Sequence, residues 1–190
     1  RSPAVYAPTK AAAVKRGGHA AGGGDHLLRG SVTLAESGIR DLMKSGRYQF
    51  IDREEMDPRE AYLKTFDADV FLTSANAITE DGELYNVDGN GNRVAALIYG
   101  PRRVIVVAGV NKIVRNLEEA ISRVKYVAAP ANGVRLAPIP PAPTQPLRPV
   151  RGGMTAGCAS EKRMCCQYVV TGYQRTDRIR VVLVGEELGY

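Results

Sequence analysis

Residues 71–111 read FLTSANAITEDGELYNVDGNGNRVAALIYGPRRVIVVAGVN, and they are the most informative part of the sequence. It contains two apolar runs, FLTS and VIVVAG, of the kind that forms strands buried on both faces of a sheet. Between these runs lies a dense connector of glycines and small polar residues. A chain that leaves a buried strand and continues in this way typically builds a site rather than a simple turn.

Helix and strand patterns alternate on both sides of this stretch. Three helix starts are indicated. The first is Thr33-x-x-Glu36, which fits a capping box, and Ser31 is the other cap candidate for the same helix. The other two are Asp57-Pro58 and Asn116. Strands are predicted at residues 48–51, 69–72, 104–108, 127–129, 167–170 and 179–184. This alternation predicts an α/β fold, a three-layer α/β/α Rossmann-like domain with a largely parallel sheet.

Three further features complete the predicted organisation. Asp88-Gly89 and Asn90-Gly91 are tight-turn pairs, so residues 83–87 and 93–97 are predicted to be the arms of a β-hairpin. Residues 138–149 are rich in proline and are interpreted as an extended linker or wrapping loop. Residues 1–28 show little periodicity and are interpreted as an N-terminal arm, which leaves residues 29–190 as the α/β domain.

Composition narrows the classes of protein to consider. The net charge is +6, but the basic residues are spread along the chain and often lie beside acids, which disfavours a nucleic-acid-binding protein. A solvated basic surface and a preference for an anionic small molecule are both left open. The sequence has neither an apolar run long enough to span a membrane nor an export signal, so we expect a cytoplasmic location.

A first candidate site is the turn that contains Gly30, Ser31 and Thr33 and precedes a predicted helix. Small residues, hydroxyl groups and helix N-terminal amides suit a phosphate or a carboxylate. An ordinary helix cap is the alternative, and the full phosphate-binding loop pattern is missing from the sequence.

A second candidate site lies in the polar connector. Arg93 could hold a carboxylate or phosphate in a fork, and Glu80 and Asp81 could act as acid or base. The alternative for the segment 88–91 is turn chemistry with local side-chain caps. The connector residues taken as ligand-binding candidates are Ser74, Asn76, Asn92 and Arg93.

The cysteines Cys158, Cys165 and Cys166 have the spacing C-x6-C-C, which is not a usual zinc or iron–sulfur pattern. Reduced and mostly inert thiols are the favoured interpretation, so these residues are weak metal candidates and no metal site is predicted. Both histidines fall within the N-terminal arm, which argues against a histidine-based mechanism.

Several segments carry a family resemblance. TSANAITEDGELYNVDGNGNR followed by YGPRRVIVVAGVNKIV resembles the LUD domain of lactate-utilisation proteins, and GSVTLAESG, AAPANGVR and RIRVVLVGEELGY also fit that family. The resemblance covers residues 30–190. It implies a fold similar to the sugar-phosphate isomerase and CoA-transferase (NagB/RpiA) superfamily, and a role in oxidising L-lactate to pyruvate alongside separate iron–sulfur subunits.

The resemblance also bears on individual residues. It supports Ser31 and Thr33 as contacts of a phosphate or acid group, and it makes Glu36, Asn76, Asp88 and Arg93 site candidates. Glu36 and Asp88 are the ones with acid–base capacity. Relatives often carry a C-x2-C-x6-C cluster near the C-terminus, whereas here Thr155 stands in place of the first cysteine and Cys166 is additional.

These observations lead to one principal hypothesis and one alternative. The first is a subunit of an iron–sulfur-dependent L-lactate oxidation system that binds a small anionic metabolite, with no cofactor in the isolated chain and iron–sulfur clusters in partner subunits. The alternative is a stand-alone sugar-phosphate isomerase or acyl/CoA-transfer enzyme. Whether the chain acts as an enzyme by itself, and whether it forms a homo-oligomer, are left open.

Overall fold

The structure is a computed structural model that describes residues 2–28, 31–52, 56–136, 153–156 and 163–190. Gly30, Cys158 and the predicted proline-rich loop at 138–149 lie outside the described residues. None of the helices in the described ranges has both the length and the apolar character needed to cross a membrane.

The described residues form two sheets. The larger sheet has the strand order β1-β10-β7-β4-β2-β3 and is parallel throughout, and the smaller sheet has the order β8-β5-β6-β9. The strands are β1 (Ala4–Ala7), β2 (Asp25–Leu28), β3 (Gln49–Asp52), β4 (Val70–Thr73), β5 (Ala77–Thr79), β6 (Leu84–Asp88), β7 (Arg103–Gly109), β8 (Ile113–Val114), β9 (Gln167–Thr171) and β10 (Ile179–Val184).

Helices cover both faces of the larger sheet, which confirms the predicted three-layer α/β fold. They are α1 (Lys10–Ala21), α2 (Val32–Glu36), α3 (Ile39–Lys44), α4 (Pro58–Asp67), α5 (Asn92–Tyr99), α6 (Leu117–Arg123) and α7 (Ala129–Arg135). A 3-10 turn (Val110–Lys112) follows β7, and a π-helical turn (Val124–Ala128) joins α6 to α7.

Alternating side chains of the central strands β4, β7 and β10 build two separate cores. On one face, Leu72, Ile105 and Val107 pack with residues of α1, α2 and α3. On the other face, Val104 and Val106 pack with residues of α5. Each of these strands is therefore apolar on both sides, as the continuous runs in the sequence predict.

The smaller sheet lies beside the carboxyl edge of the larger one. Its strand β6 pairs antiparallel with β5 and β9, and its buried residues Tyr85 and Val87 pack against Ala120 and Val124 on the α6 side. Because β5 follows β4 after only three residues, the small sheet begins where the central strand ends.

Residues 1–28, interpreted from the sequence as an N-terminal arm, contain regular elements of the fold. Residues 4–28 form β1, α1 and β2, and β2 lies inside the larger sheet between β4 and β3. Thr9 caps α1 by accepting a hydrogen bond from the amide of Ala12. Helix α1 is rich in alanine and glycine, and its buried residues Ala13, Gly17 and Ala21 are small, so the usual apolar stripe is faint in the sequence.

The predicted hairpin has different arms from those expected. Residues 92–99 form helix α5 instead of a strand, and the hairpin partner of β6 is β5, which precedes it. The glycine at 91 has φ = 78° and lies at the start of α5, so it provides a strand-to-helix junction. Tight-turn pairs mark a change of direction, but they do not specify which element follows.

Two smaller expectations also differ from the structure. Residues 127–129 belong to the π-helical turn and the start of α7, not to a strand. The cap of α2 is Ser31, whose Oγ accepts from the amide of Leu34 at 3.4 Å, so Thr33 does not form the expected capping box. The caps predicted at Asp57 and Asn116 are confirmed for α4 and α6.

Candidate functional site

A cavity of about 450 Å³ opens at the carboxyl edge of the larger sheet. Parallel strands send their following loops to the same edge, so residues after β4 and β7 meet there with the start of α2 and the end of β6. The lining includes Ser31, Thr33, Ser74, Asn76, Asp88, Arg93, Lys112, Asn132, Arg135, Arg163, Cys165, Cys166 and Tyr190.

Lys112 is the most unusual residue of this cavity. It ends the 3-10 turn after β7 and is only 4% exposed. Its Nζ donates hydrogen bonds to Thr33 Oγ1 at 2.7 Å and to Ser74 Oγ at 3.1 Å. Lysine is seldom buried unless an acid pairs with it, so a lysine held by two hydroxyl groups needs an explanation.

The surroundings of Lys112 favour the neutral amine. Burial, followed by the positive charges of Arg123 and Arg93, lowers the pKa of Lys112 to about 7, and Glu36 opposes the shift. Desolvation penalises the ammonium form, and like charges nearby add to that penalty. Lys112 therefore exchanges its proton near neutral pH, where an ordinary lysine is fully charged.

The two candidate sites come together, because the turn at the start of α2 lies next to the end of β4. Ser74 Oγ lies 3.4 Å from Thr33 Oγ1, and both hydroxyl groups contact the same lysine. Thr33 Oγ1 also lies 3.4 Å from the carbonyl oxygen of Leu188. Ser31 lines the cavity while it caps α2, so the two interpretations of this turn are both compatible with its position.

Arg93 lines the cavity, but its guanidinium also holds the surrounding loops together. Its Nη1 donates to the carbonyl oxygen of Ser74 and to Asn86 Oδ1, and its Nη2 donates to Asn76 Oδ1 and to the carbonyl oxygen of Val87. These four acceptors are neutral oxygens, at 2.6–3.1 Å. The terminal nitrogens are thus occupied by the protein, and what Arg93 offers a ligand is mainly its positive charge.

Asp88 has a clear structural task. Its Oδ1 accepts from the amide of Gly89, and its Oδ2 accepts from the amides of Arg93 at 2.9 Å and Val94 at 3.3 Å. These two amides belong to the first turn of α5, whose cap residue Gly91 has no side chain to satisfy them. Asp88 therefore caps α5 from the end of β6, and it also lines the cavity.

Of the remaining predicted site residues, Asn76 lies on the cavity wall, whereas Asn92 and Glu36 do not. Asn76 lines the cavity, and its Oδ1 accepts from the amide of Val87 and from Arg93. Asn92 is not among the cavity-lining residues. Glu36 is exposed and also lies off the cavity lining, where its Oε2 accepts from the amide of Gly189 at 2.7 Å. The structure thus separates Asn92 and Glu36 from the pocket wall.

Cys165 and Cys166 line the cavity. Cys165 is half-buried and Cys166 is exposed, and the amide of Cys166 donates to the carbonyl oxygen of Asp88 at 3.0 Å. Within the described ranges, no three histidine, cysteine, aspartate or glutamate side chains are grouped so that they could hold a metal ion.

Positive charge dominates the lining. The cationic lining residues are Arg93, Lys112, Arg135 and Arg163, and Asp88 is the single carboxylate among the lining residues that the structure describes. Arg123 lies behind the wall, where its Nη1 donates to the carbonyl oxygen of Asn76 and its Nε to that of Asn111. Burial lowers the pKa of Arg123, but arginine starts so high that it stays charged.

Sequence reasoning missed Lys112, Arg123 and the C-terminal residue Tyr190. Tyr190 Oη donates to Asn132 Oδ1 and accepts from Arg135, which closes one side of the cavity. For Lys112 a signal existed, because a lysine three residues beyond the glycine that ends a buried strand lies near the ligand-binding edge of a parallel sheet. For Tyr190 no local signal exists.

Comparison with known proteins agrees with this architecture. A crystal structure of a DUF162 family protein from Deinococcus radiodurans is similar over 97% of this chain and 88% of that protein, with a TM-score of 0.50 and 16% sequence identity. At that identity the similarity supports the fold alone. A comparison with curated proteins gave no match. The model of the LUD domain matches residues 4–184, nearly the whole sequence, and the chain therefore belongs to the LUD domain family.

Proposed function

We propose that this chain binds a small anionic metabolite in the cavity and serves lactate utilisation as a subunit of an iron–sulfur-dependent L-lactate oxidation system. The observation that carries the proposal is the cationic cavity at the sheet's carboxyl edge, with Lys112, Thr33 and Ser74 in mutual contact. Membership of the LUD domain family supports the metabolic assignment.

The chemistry of the cavity suits a hydroxy or oxo acid. A carboxylate is favoured by the charges of Arg93 and Arg123, which act in surroundings where water is partly excluded. The hydroxyl groups of Thr33 and Ser74 can donate to or accept from the oxygen beside that carboxylate. Electron transfer is assigned to partner proteins that carry iron–sulfur clusters.

Isothermal titration calorimetry with L-lactate, pyruvate and ribose 5-phosphate tests the binding step. Thr33→Val and Ser74→Ala each remove a hydroxyl group from the cavity and are expected to weaken binding by roughly ten-fold, equivalent to one lost hydrogen bond of about 1.4 kcal/mol. Thr65→Val is the matched control, since Thr65 is equally buried in α4 and its hydroxyl donates to Ala61 of the same helix. Equal affinities for all three variants would place the ligand elsewhere.

Two further outcomes separate the principal hypothesis from its alternative. Co-purification of the chain with iron–sulfur proteins, without turnover by the isolated chain, supports the subunit role. Isomerisation of ribose 5-phosphate or acyl transfer by the isolated chain would instead make it a stand-alone enzyme of the NagB/RpiA type.

A further inference from the structure

The amine of Lys112 is arranged as a nucleophile. Its partners among the described residues are two hydroxyl oxygens, on Thr33 and Ser74, and not a carboxylate. A buried lysine that only supports the fold is normally paired with an acid, because an unpaired ammonium group in the interior is costly. Placing this amine against two neutral oxygens keeps its nitrogen reactive.

In the neutral form of Lys112, the lone pair of Nζ is directed away from Thr33 and Ser74. A neutral amine has two hydrogens and one lone pair, and the two hydrogens are directed at Thr33 and Ser74. Because these three side chains line the same cavity, a ligand in it lies within reach of the nitrogen. Gly189 approaches from the C-terminal segment, where an added Cβ would come within 2.6 Å of Thr33 Oγ1 and 3.5 Å of Lys112 Nζ.

The charged groups around Lys112 come from three helices. Arg123 of α6 and Arg93 of α5 both disfavour a positive charge at this nitrogen, and Glu36 of α2 weakly favours one. A cationic product formed on Lys112 would meet the same repulsion as the ammonium form, unless the ligand brought a negative charge with it. This selects carbonyl compounds that carry an anionic group beside the carbonyl.

We propose that Lys112 Nζ forms an imine with the carbonyl carbon of a small 2-oxo acid bound in the cavity. The lone pair of Nζ adds to the carbonyl carbon, and a proton passes from the nitrogen to the carbonyl oxygen to give the carbinolamine. The carbinolamine then takes up one proton from solvent and loses its hydroxyl group as water, so that a C=N bond replaces the C=O bond and the imine is protonated. The addition consumes no oxidant or reductant, and water is the leaving group. Thr33 and Ser74 lie where they can pass the protons between nitrogen and oxygen.

This inference rests on the proposed anion-binding role of the same cavity. The ligand's carboxylate balances the positive charge of the imine, and Arg93 and Arg123 in turn attract that carboxylate. An oxo acid fits these requirements, whereas the corresponding hydroxy acid has the same charge but lacks the carbonyl group. The pair pyruvate and L-lactate thus separates covalent attachment from simple anion binding.

Borohydride trapping tests the proposal. The protein is incubated near neutral pH with pyruvate and sodium cyanoborohydride, and intact mass spectrometry followed by peptide mapping locates the label. We expect one carboxyethyl group, on Lys112, and no label with L-lactate. Exposed lysines such as Lys64, which pairs with Glu60 on the surface of α4, are internal controls for non-specific labelling.

Because peptide mapping locates the label in the wild-type protein itself, the test remains valid even if a variant folds poorly. Lys112→Met should abolish the label, and Lys64→Met should retain it. Pyruvate that binds in calorimetry but leaves Lys112 unlabelled, or labels Lys64 equally, overturns the imine and leaves the anion-binding proposal standing. If L-lactate, pyruvate and ribose 5-phosphate all fail to bind and Lys112 carries no label, both the imine and the anion-binding proposal are overturned.

Discussion

Replacing Lys112 with methionine should change how the stability of the protein depends on pH. Methionine has a similar length and no charge, and the site is almost fully buried, at 4% exposure. In the unfolded chain Lys112 has the ordinary lysine pKa of 10.5, and in the folded protein burial lowers its pKa to about 7. Between these two values the unfolded state binds one more proton at this position than the folded state.

The sign and size of the effect follow from proton linkage. Because the unfolded state holds the extra proton, the wild-type protein gains stability relative to Lys112→Met as the pH rises through this window. The gain approaches about 1.4 kcal/mol per pH unit, so it amounts to roughly 2–3 kcal/mol between about pH 7.5 and about pH 9.5. Below the folded pKa both states are protonated and the difference becomes constant.

Urea denaturation of both proteins at a series of pH values measures this difference directly. Subtracting the variant's unfolding free energy from the wild type's removes the contributions of the other titrating groups. Lys64→Met serves as the control, since Lys64 is half-exposed on α4 and its replacement should leave the pH profile parallel to the wild type's. If the difference in unfolding free energy between wild type and Lys112→Met stays constant over the whole pH range, Lys112 titrates as an ordinary lysine. That result would contradict the lowered pKa.

Three further predictions concern the fold and the charge of the cavity. Asp88→Ala leaves the first amides of α5 without their acceptor and should lower the free energy of unfolding by roughly 1–3 kcal/mol. Asn116→Ala removes the exposed cap of α6 and should cost less, about 1 kcal/mol. Equal losses for the two variants in urea denaturation would contradict the capping role of Asp88. Ile105→Ala opens a cavity in the core and should cost roughly 2–5 kcal/mol, whereas Ile98→Ala on the exposed side of α5 should cost about 0.5 kcal/mol or less in the same assay. Raising the salt concentration should weaken lactate or pyruvate binding measured by calorimetry, because added ions screen the cationic lining; an affinity independent of salt would argue against an electrostatic role for Arg93 and Arg135.

The elements found correctly from the sequence share one property, which is that their signal is local. The runs at 104–108 and 179–184 are rich in β-branched residues, and they form the adjacent strands β7 and β10. Asp57 and Asn116 are side-chain caps beside their own helices. Such signals act over a few residues, so they can be recognised without knowing the rest of the fold.

The elements that were missed or mistaken depend on distant partners. Helix α5 begins with amides that are satisfied by Asp88 at the end of a strand, so the local Asn-Gly pair suggested a turn instead. Helix α1 has a weak apolar stripe, because small residues such as Gly17 let it pack closely against Ile39 of α3. In both cases tertiary contacts stabilise what the local pattern leaves undecided.

The candidate site divides in the same way. The family and the α/β fold, and the positions of Ser31, Thr33 and Ser74 next to a parallel sheet, could be inferred from residues 30–190. The roles of Arg93 and Lys112 could not. Arg93 uses its terminal nitrogens on protein oxygens, and Lys112 meets hydroxyl groups contributed by residues 38 and 79 positions away.

Local sequence therefore predicted several of the elements, such as β7, β10, α4 and α6, and the edge of the sheet at which polar residues gather. It is the tertiary structure that buries at this edge a lysine with no carboxylate partner among the described residues, since burial and the approach of Arg123 and Arg93 arise from packing between separate elements. The physical reason is that a side chain's protonation state depends on its solvation and on charges brought near it in space, and neither is written in the residues adjacent to it in sequence.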